Sequence, residues 1–317
     1  MRVAVIGVGS LGQHHARIYA ALPEAELRAV VDQDGARAGE IATRHGVAAL
    51  RHHRDLPDDL DAVSVAVPTV HHASITCECL ERGLHVLVEK PMAATLAEAE
   101  RMLELSRHSG RHLLVGHTER FNPAVRATAS LVRGPRFIEA HRLGIFTSRS
   151  VDVDVVLDVM IHDIDVILSM VPSPVAAVDS VGVNALTEKI DIANARIRFE
   201  NGCVANVTAS RISTDKVRKL RIFQSDSYIS LDYATQEALA YRLQRHDGRA
   251  PEIVREPISV EQEEPLRSEL RAFLARVRGE EAPGVTAEEG VRALNLAFRI
   301  LAQIGSGPGP RGSADAR

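Results

Sequence analysis

The run Val3-Ala4-Val5-Ile6-Gly7-Val8-Gly9-Ser10-Leu11-Gly12 constrains the fold more than any other stretch of the chain. Val3 to Ile6 is a short apolar run rich in β-branched residues, which reads as a buried strand. Gly7, Gly9 and Gly12 follow as G-x-G-x-x-G, and the chain then turns helical. In this pattern the first glycine permits a tight turn, the second lets backbone approach a pyrophosphate, and the third lets helix and strand pack closely. The helix start adds N–H groups and a partial positive charge for phosphate. Gly7, Gly9, Ser10, Leu11 and Gly12 are therefore expected to hold a dinucleotide. A second strand, Glu26 to Val31, ends at Asp32, 20 residues past Gly12. An acid there accepts hydrogen bonds from the adenosine ribose hydroxyls. Gln33 and Asp34 come next rather than arginine, so a 2′-phosphate would meet two carboxylates, and NAD is expected over NADP.

The strand–helix alternation continues. Strands are expected near 47–50, 61–67, 85–88 and 112–115, with helices near 12–22, 35–45, 72–82 and 95–110, the last opened by the capping box Thr95–Glu98. This is an α/β Rossmann domain, a doubly wound parallel sheet over residues 1–119. Gly7, Asp32, Pro68, Glu89, Lys90 and Gly116 all fall at carboxyl ends of strands, where such sheets bind ligands. Past Arg120 the pattern changes to β-type runs between Val175 and Leu243 with a hairpin signal at Asn201-Gly202. An α+β domain with a mainly antiparallel open sheet is expected over 120–285, including a helix from Gln262 to Arg278. A last helix, about 286–304, is expected to pack back on the first domain, and the Gly/Ser/Pro/Arg tail 305–317 to be disordered.

At 317 residues and formal net charge −4, the chain has room for two domains and no basic footprint for nucleic acid or an anionic membrane. No apolar run is long enough to span a bilayer. The N-terminal apolar run is too short for a signal peptide, and its strand role accounts for it. The three cysteines, Cys77, Cys79 and Cys203, form no C-x-x-C and argue for a reducing, cytoplasmic location. Lysine is rare, which makes Lys90 conspicuous. Most of the paired histidines, His14-His15, His52-His53 and His71-His72, read as surface or helix-end residues, with His72 the exception.

The expected helix 152–171 is apolar except for Asp158, His162, Asp165 and Ser169, spaced to share one helical face. Such a stripe is the solvent side of an amphipathic helix, a metal site, or a catalytic pair with His162 as acid/base and a carboxylate one turn away. For zinc it holds too few His or Cys, and no metal is expected.

Taken together, Gly7-Val8-Gly9-Ser10-Leu11-Gly12, Pro68-Thr69-Val70-His71-His72, Glu89-Lys90-Pro91 and Asp158-x-x-x-His162-x-x-Asp165 resemble the glucose–fructose oxidoreductase / inositol dehydrogenase / MocA family over about residues 1–304. The resemblance implies that Lys90 is the active-site lysine and that Asp158 and His162 are the acid and catalytic histidine. It implies that Pro68, Thr69, His72 and Glu89 line the nicotinamide end. Arg120 and Asn122 match the segment entering the substrate domain and, with Arg149, are candidates for contacting a substrate diphosphate. The sequence departs from the family at Thr69, where Asn is common, and at Ser150–Val153, which replaces a glycine-rich lead. Within the family, the segments Gly116–Pro123 and Leu157–Asp165 are similar to nucleotide-sugar members that oxidise UDP-N-acetylglucosamine at C3. The implied reaction turns a sugar hydroxyl into a ketone with NAD. An inositol or free-sugar dehydrogenase, and a regulator that senses NAD and sugar without turnover, are the alternatives. Lys90 and His162 are both present, which favours catalysis. The run Ala193–Phe199 is read as not separating cleanly into two faces, which leaves one sheet face for another copy, and a homodimer or homotetramer is expected.

Overall fold

A computed structural model describes residues 1–147, 153–244 and 251–306. The chain divides into two compact units. The first joins Met1–Asn122 with Glu263–Leu294, and the second joins Pro123–Gln262 with the chain from Asn295 onward.

In the first unit β1 (Arg2–Ile6), α1 (Gly12–Ala21), β2 (Glu26–Val31), α2 (Gly35–His45), β3 (Ala48–Leu50), β4 (Ala62–Val65), α3 (His72–Glu81), β5 (His85–Glu89), α4 (Leu96–Ser109) and β6 (Leu113–Gly116) alternate as expected. The six strands form one parallel sheet in the order β3-β2-β1-β4-β5-β6. Helices cover both faces, so the central strands are mostly apolar: Val3, Ala4, Val5, Val63 and Val65 are wholly buried. Ser64, inside β4, is satisfied by the Tyr19 hydroxyl at 2.9 Å. Asp34 caps α2 by accepting from the Ala36 and Arg37 amides, and Thr95 and Glu98 close the expected box on α4. The order of strands reverses between β1 and β4, which makes the β1–α1 turn the topological switch point.

The second unit holds α5 (Pro123–Ala129), β7 (Phe137–Leu143), a single π-helical turn (Val156–Met160) running into α6 (Ile161–Met170), then β8 (Val175–Val183), β9 (Ile192–Phe199), β10 (Val204–Ser210), β11 (Val217–Phe223), β12 (Ser227–Asp232), β13 (Glu237–Gln244) and β14 (Glu252–Ile258). These eight strands form one sheet, β14-β13-β12-β11-β7-β10-β9-β8, antiparallel except where β7 lies parallel to β10. The sequence reading did not assign β14. Its charged alternation and Pro257 hide it, and both are tolerated because it is an edge strand paired only with β13. It also missed α5, whose two turns are too short to show a helical period.

Two helices complete the chain, α7 (Pro265–Val277) and α8 (Ala287–Ser306). The sequence reading put α7 with the second domain. Leu266, Leu270, Phe273 and Leu274 instead enter the core of the first unit, beside Val3, Ile18 and Tyr19. An amphipathic stripe shows that a helix packs, not against what. In the first unit, the start of α8 lies so close to β6 that a Cβ on Gly290 would sit 2.6 Å from Val115. In the second unit, Ser180 on β8 donates to the Ile300 carbonyl. Gly305 and Ser306 are the last helical residues, and the rest of the tail expected to be disordered lies outside the described residues. No described helix is long and apolar enough to cross a membrane.

The faces of β9 separate cleanly, which corrects the sequence reading of that run. Ala193, Ala195, Ile197 and Phe199 are buried while Asn194, Arg196 and Arg198 are exposed, a period-2 pattern with one face on the core. The core face is packed by α6 on β7 and β10 and by α5 on β12 and β13. A buried ion pair enters this core: Arg142 of β7 forks onto Asp163 of α6 at 2.7 and 3.0 Å, both groups buried, with its guanidinium 4.6 Å over the Tyr233 ring. Asp163→Ala leaves that arginine buried without its carboxylate. A loss of about 3–5 kcal/mol in unfolding free energy by urea titration is expected, and a loss under about 1 kcal/mol would remove the pair as the anchor of α6.

Candidate active site

The glycine turn is built as its spacing requires. Gly7 sits at φ +84°, and a Cβ there would stand 2.7 Å from the Ala66 carbonyl oxygen. A Cβ on Gly12 would overlap the Gly7 carbonyl, so only glycine lets α1 start this close to β1. Gly9 differs: nothing lies within 4 Å of the Cβ position, and Gly9, Ser10 and Leu11 are exposed. Open space over a bare backbone beside a helix start fits a pyrophosphate. Asp32 closes the site from β2. Its carboxylate accepts from the Val8 amide and the Asp34 amide, each at 3.0 Å, so turn and acid form one piece. Sequence reasoning missed Arg37, which donates to the Val8 carbonyl at 2.9 Å and to the Gln13 side chain at 2.8 Å. It lies in α2 with no motif around it.

At the ends of β4 and β5 the expected residues gather within the first unit. Pro68 is exposed and Thr69 half-buried, at the start of a short 3₁₀ turn, Thr69–His71. His72 is buried, its Nδ1 2.9 Å from the Pro91 carbonyl and its Nε2 2.8 Å from the Val67 carbonyl. Burial pulls the pKa of His72 below the ordinary value, against the two carbonyls. The ring thus ties the Lys90-Pro91 turn, which has a cis peptide bond, to the end of β4. Lys90 is half-buried. Glu89 is buried and accepts from His15 Nε2 at 2.9 Å and from the Lys90 amide at 3.3 Å. His15 is therefore wholly buried on the inner side of α1, not the surface residue that its pairing with His14 indicated.

The end of β6 adds His117, which the sequence did not single out. Burial pushes its imidazole down to about 3, and the charges of Lys90 and Arg120 add to the effect, so the ring is neutral. Arg120 pairs with Glu289 at 2.6 Å, Asn122 donates to Glu119 at 3.1 Å, and Thr118 donates to Glu269 at 2.9 Å. The first two were expected toward a substrate diphosphate; each makes these contacts inside the first unit. Glu289 also accepts from the Thr286 amide at the start of α8. Arg149 lies outside the described residues.

In the second unit Asp158 stands in the π turn and His162 in the first turn of α6, both half-buried. The π turn, in which the Ile161 amide reaches back to the Val156 carbonyl, widens the helix between them. The expected stripe is not one solvent face: Asp165 is buried and Ser169 exposed, its hydroxyl turned onto the Val166 carbonyl. The lead into the π turn is held by the segment before β9. Asp154 accepts from the Ile190 amide, and the Val155 amide donates back to the Ile190 carbonyl, each at 2.9 Å. Asp191 organises that segment by accepting from the Ala185, Leu186 and Thr187 amides. Burial raises its pKa, but these hydrogen bonds outweigh it and hold the carboxyl below the ordinary range.

Fold and site define a two-domain, dinucleotide-binding dehydrogenase. Residues 1–117 match the model of an oxidoreductase family with an NAD-binding Rossmann fold, and residues 124–230 match the GFO/IDH/MocA C-terminal domain. The chain belongs to the Gfo/Idh/MocA family of oxidoreductases, and NAD is its cofactor. It is 35% identical to the UDP-N-acetylglucosamine 3-dehydrogenase of Acidithiobacillus ferrooxidans, covering 96% of this chain and 97% of that one. A solved structure of that enzyme superposes with a TM-score of 0.90 over 96% of this chain and 98% of that one, at 32% identity. A myo-inositol 2-dehydrogenase of Thermotoga maritima is 27% identical over 94% of both chains.

The two kinds of glycine separate stability from binding. Gly9→Val should leave the melting temperature within a few degrees and weaken NAD at least tenfold, about 1.4 kcal/mol or more, by calorimetric titration. Gly12→Ala should lower the melting temperature. The reverse pattern would overturn the assignment of the turn.

Proposed function

We propose that the protein oxidises the C3 hydroxyl of UDP-N-acetylglucosamine, or of a related nucleotide sugar, to the ketone. The product is a precursor of a 3-amino sugar for lipid A or surface polysaccharide. The observation that carries this reading is the 35% identity, over nearly the whole of both chains, to an enzyme named for that reaction. The presence of Lys90, Asp158 and His162 at the matching motif positions supports it. NAD supplies the hydride acceptor when bound. His162 takes the hydroxyl proton on a ring nitrogen, a task suited to a side chain that titrates near neutral pH. Asp158, one turn earlier, orients the imidazole and stabilises its charged form. Lys90 stabilises the negative charge that develops on the oxygen. The family's inositol dehydrogenases make a free polyol the competing substrate.

His162→Ala and Lys90→Ala should each lower turnover on the order of a hundredfold or more, with NAD affinity retained, when NADH formation is followed on a panel of sugar nucleotides, free sugars and inositols. Oxidation of an inositol in preference to every nucleotide sugar would replace the substrate, and wild-type turnover in either variant would remove that residue from the chemistry. NAD should bind at least tenfold tighter than NADP, with the gap narrowed in Asp32→Ala; equal affinities would sink the role of Asp32.

In the same reading a second copy of the chain covers the open face of the eight-stranded sheet, in the cytoplasm, where the buried thiols Cys77, Cys79 and Cys203 stay reduced. Support comes from the face itself. Phe137, Phe223, Tyr228 and Tyr241 form a ladder across four strands with ring centroids 5.6, 4.8 and 5.7 Å apart. Beside it, acids and bases alternate, with Glu139 against Arg221 at 2.9 Å and Asp179 against Arg198 at 3.5 Å. An aromatic, mixed-charge patch is self-complementary under a two-fold axis. Light scattering at micromolar concentration should give a mass near twice 34.5 kDa, or four times for a tetramer. A mass near 34.5 kDa would show the face to be simply solvated.

A further inference from the structure

We propose that His15 is a positioning residue for the reaction, acting through a buried couple with Glu89 that fixes Lys90. The inference rests on the reading of Lys90 as a reacting-site lysine. His15 lies one turn into α1, wholly buried, and its Nε2 stands 2.9 Å from Glu89 Oε1. A carboxylate only accepts, so the imidazole donates through Nε2. The other carboxylate oxygen accepts the Lys90 amide at 3.3 Å. Glu89 thus grips the backbone of the residue beside it from one side and α1 from the other.

The neighbouring strand makes room for this couple. Gly116 of β6 pairs directly with Glu89, and a Cβ there would stand 2.9–3.0 Å from the carboxylate atoms. The space a side chain would fill is taken by the Glu89 carboxylate. Stability does not account for the arrangement. His15 Nδ1 is buried with no hydrogen-bond partner among the described residues, and an apolar pair of the same shape would avoid that unmade bond. What the couple supplies is position. α1 carries the helix start at the glycine turn, Lys90 follows directly on β5, and the His15–Glu89 hydrogen bond joins the two elements.

The test compares His15→Leu with His15→Gln, which keeps a side-chain N–H, in the wild-type and Lys90→Ala backgrounds of the full chain. Turnover is measured on whichever panel compound is oxidised, with NAD affinity and melting temperature alongside. His15→Leu should lower kcat at least about tenfold, as small misplacements do, with NAD affinity kept within about threefold and the loss largely rescued in His15→Gln. Gly116→Ala should reproduce the defect. With Lys90 already removed, His15→Leu should cost nothing further, because it acts through that lysine. Equal losses in both backgrounds, or a lowered melting temperature with wild-type kcat, would reduce His15 to a packing residue. Wild-type turnover in Lys90→Ala itself would instead overturn the reading of Lys90. Proton NMR of the ligand-free chain checks the couple without substrate. One slowly exchanging, low-field imidazole N–H signal should vanish in His15→Gln and shift in Glu89→Gln, and its absence from the wild type would overturn the couple.

Discussion

The first unit depends on one close approach, that of α1 to β1 where Gly12 meets the Gly7 carbonyl. No side chain fits between them, so the helix begins against the sheet at the point where strand order reverses. Three consequences follow from that contact. The helix start faces the open backbone of Gly9. Asp32, tied to Val8 at 3.0 Å, is brought to the same turn. The next turn of α1 drives His15 inward until it meets Glu89. A parallel sheet with helices on both faces has no polar environment of its own. Its functional groups are therefore confined to strand ends, and each is fixed there by a neighbour rather than by solvent.

The second unit solves a different problem. An open, mainly antiparallel sheet must hold a helix whose polar side chains, Asp158 and His162 among them, interrupt an apolar surface. The bidentate Arg142–Asp163 pair clamps α6 to β7 beside His162, and the Asp154–Ile190 hydrogen bonds hold the chain just before the π turn that carries Asp158. Between these two anchors the helix is widened rather than regular. π turns persist where surrounding contacts hold them, and they recur at functional sites. Asp158 thus stands on the π turn itself, and His162 on the first α-helical turn after it.

Several of the motif residues also make contacts within the first unit. His72 holds the Lys90-Pro91 turn through two carbonyl contacts, and Arg120 is paired with Glu289 at the start of α8. His117 is kept neutral next to Lys90 by burial. A buried polar group must find a partner or lose its charge.

Local patterns in the sequence determined the parallel sheet, its six strands, the glycine turn with Asp32, and the motif positions of Lys90, Asp158 and His162. Each depends on a period of two or 3.6 residues or on steric demands within a few residues. Only the tertiary structure decided the rest. α7 joined the first unit because its apolar face fits that core, and β14 formed because an edge partner was available despite Pro257. His15 looked like a surface residue because nothing in His14-His15 says which ring faces inward. The sequence also misjudged the faces of β9, where a shift of one residue exchanges buried and exposed positions. Partners distant along the chain leave no local period, so the pairs Glu89–His15 and Asp163–Arg142 became visible only when folding set them side by side.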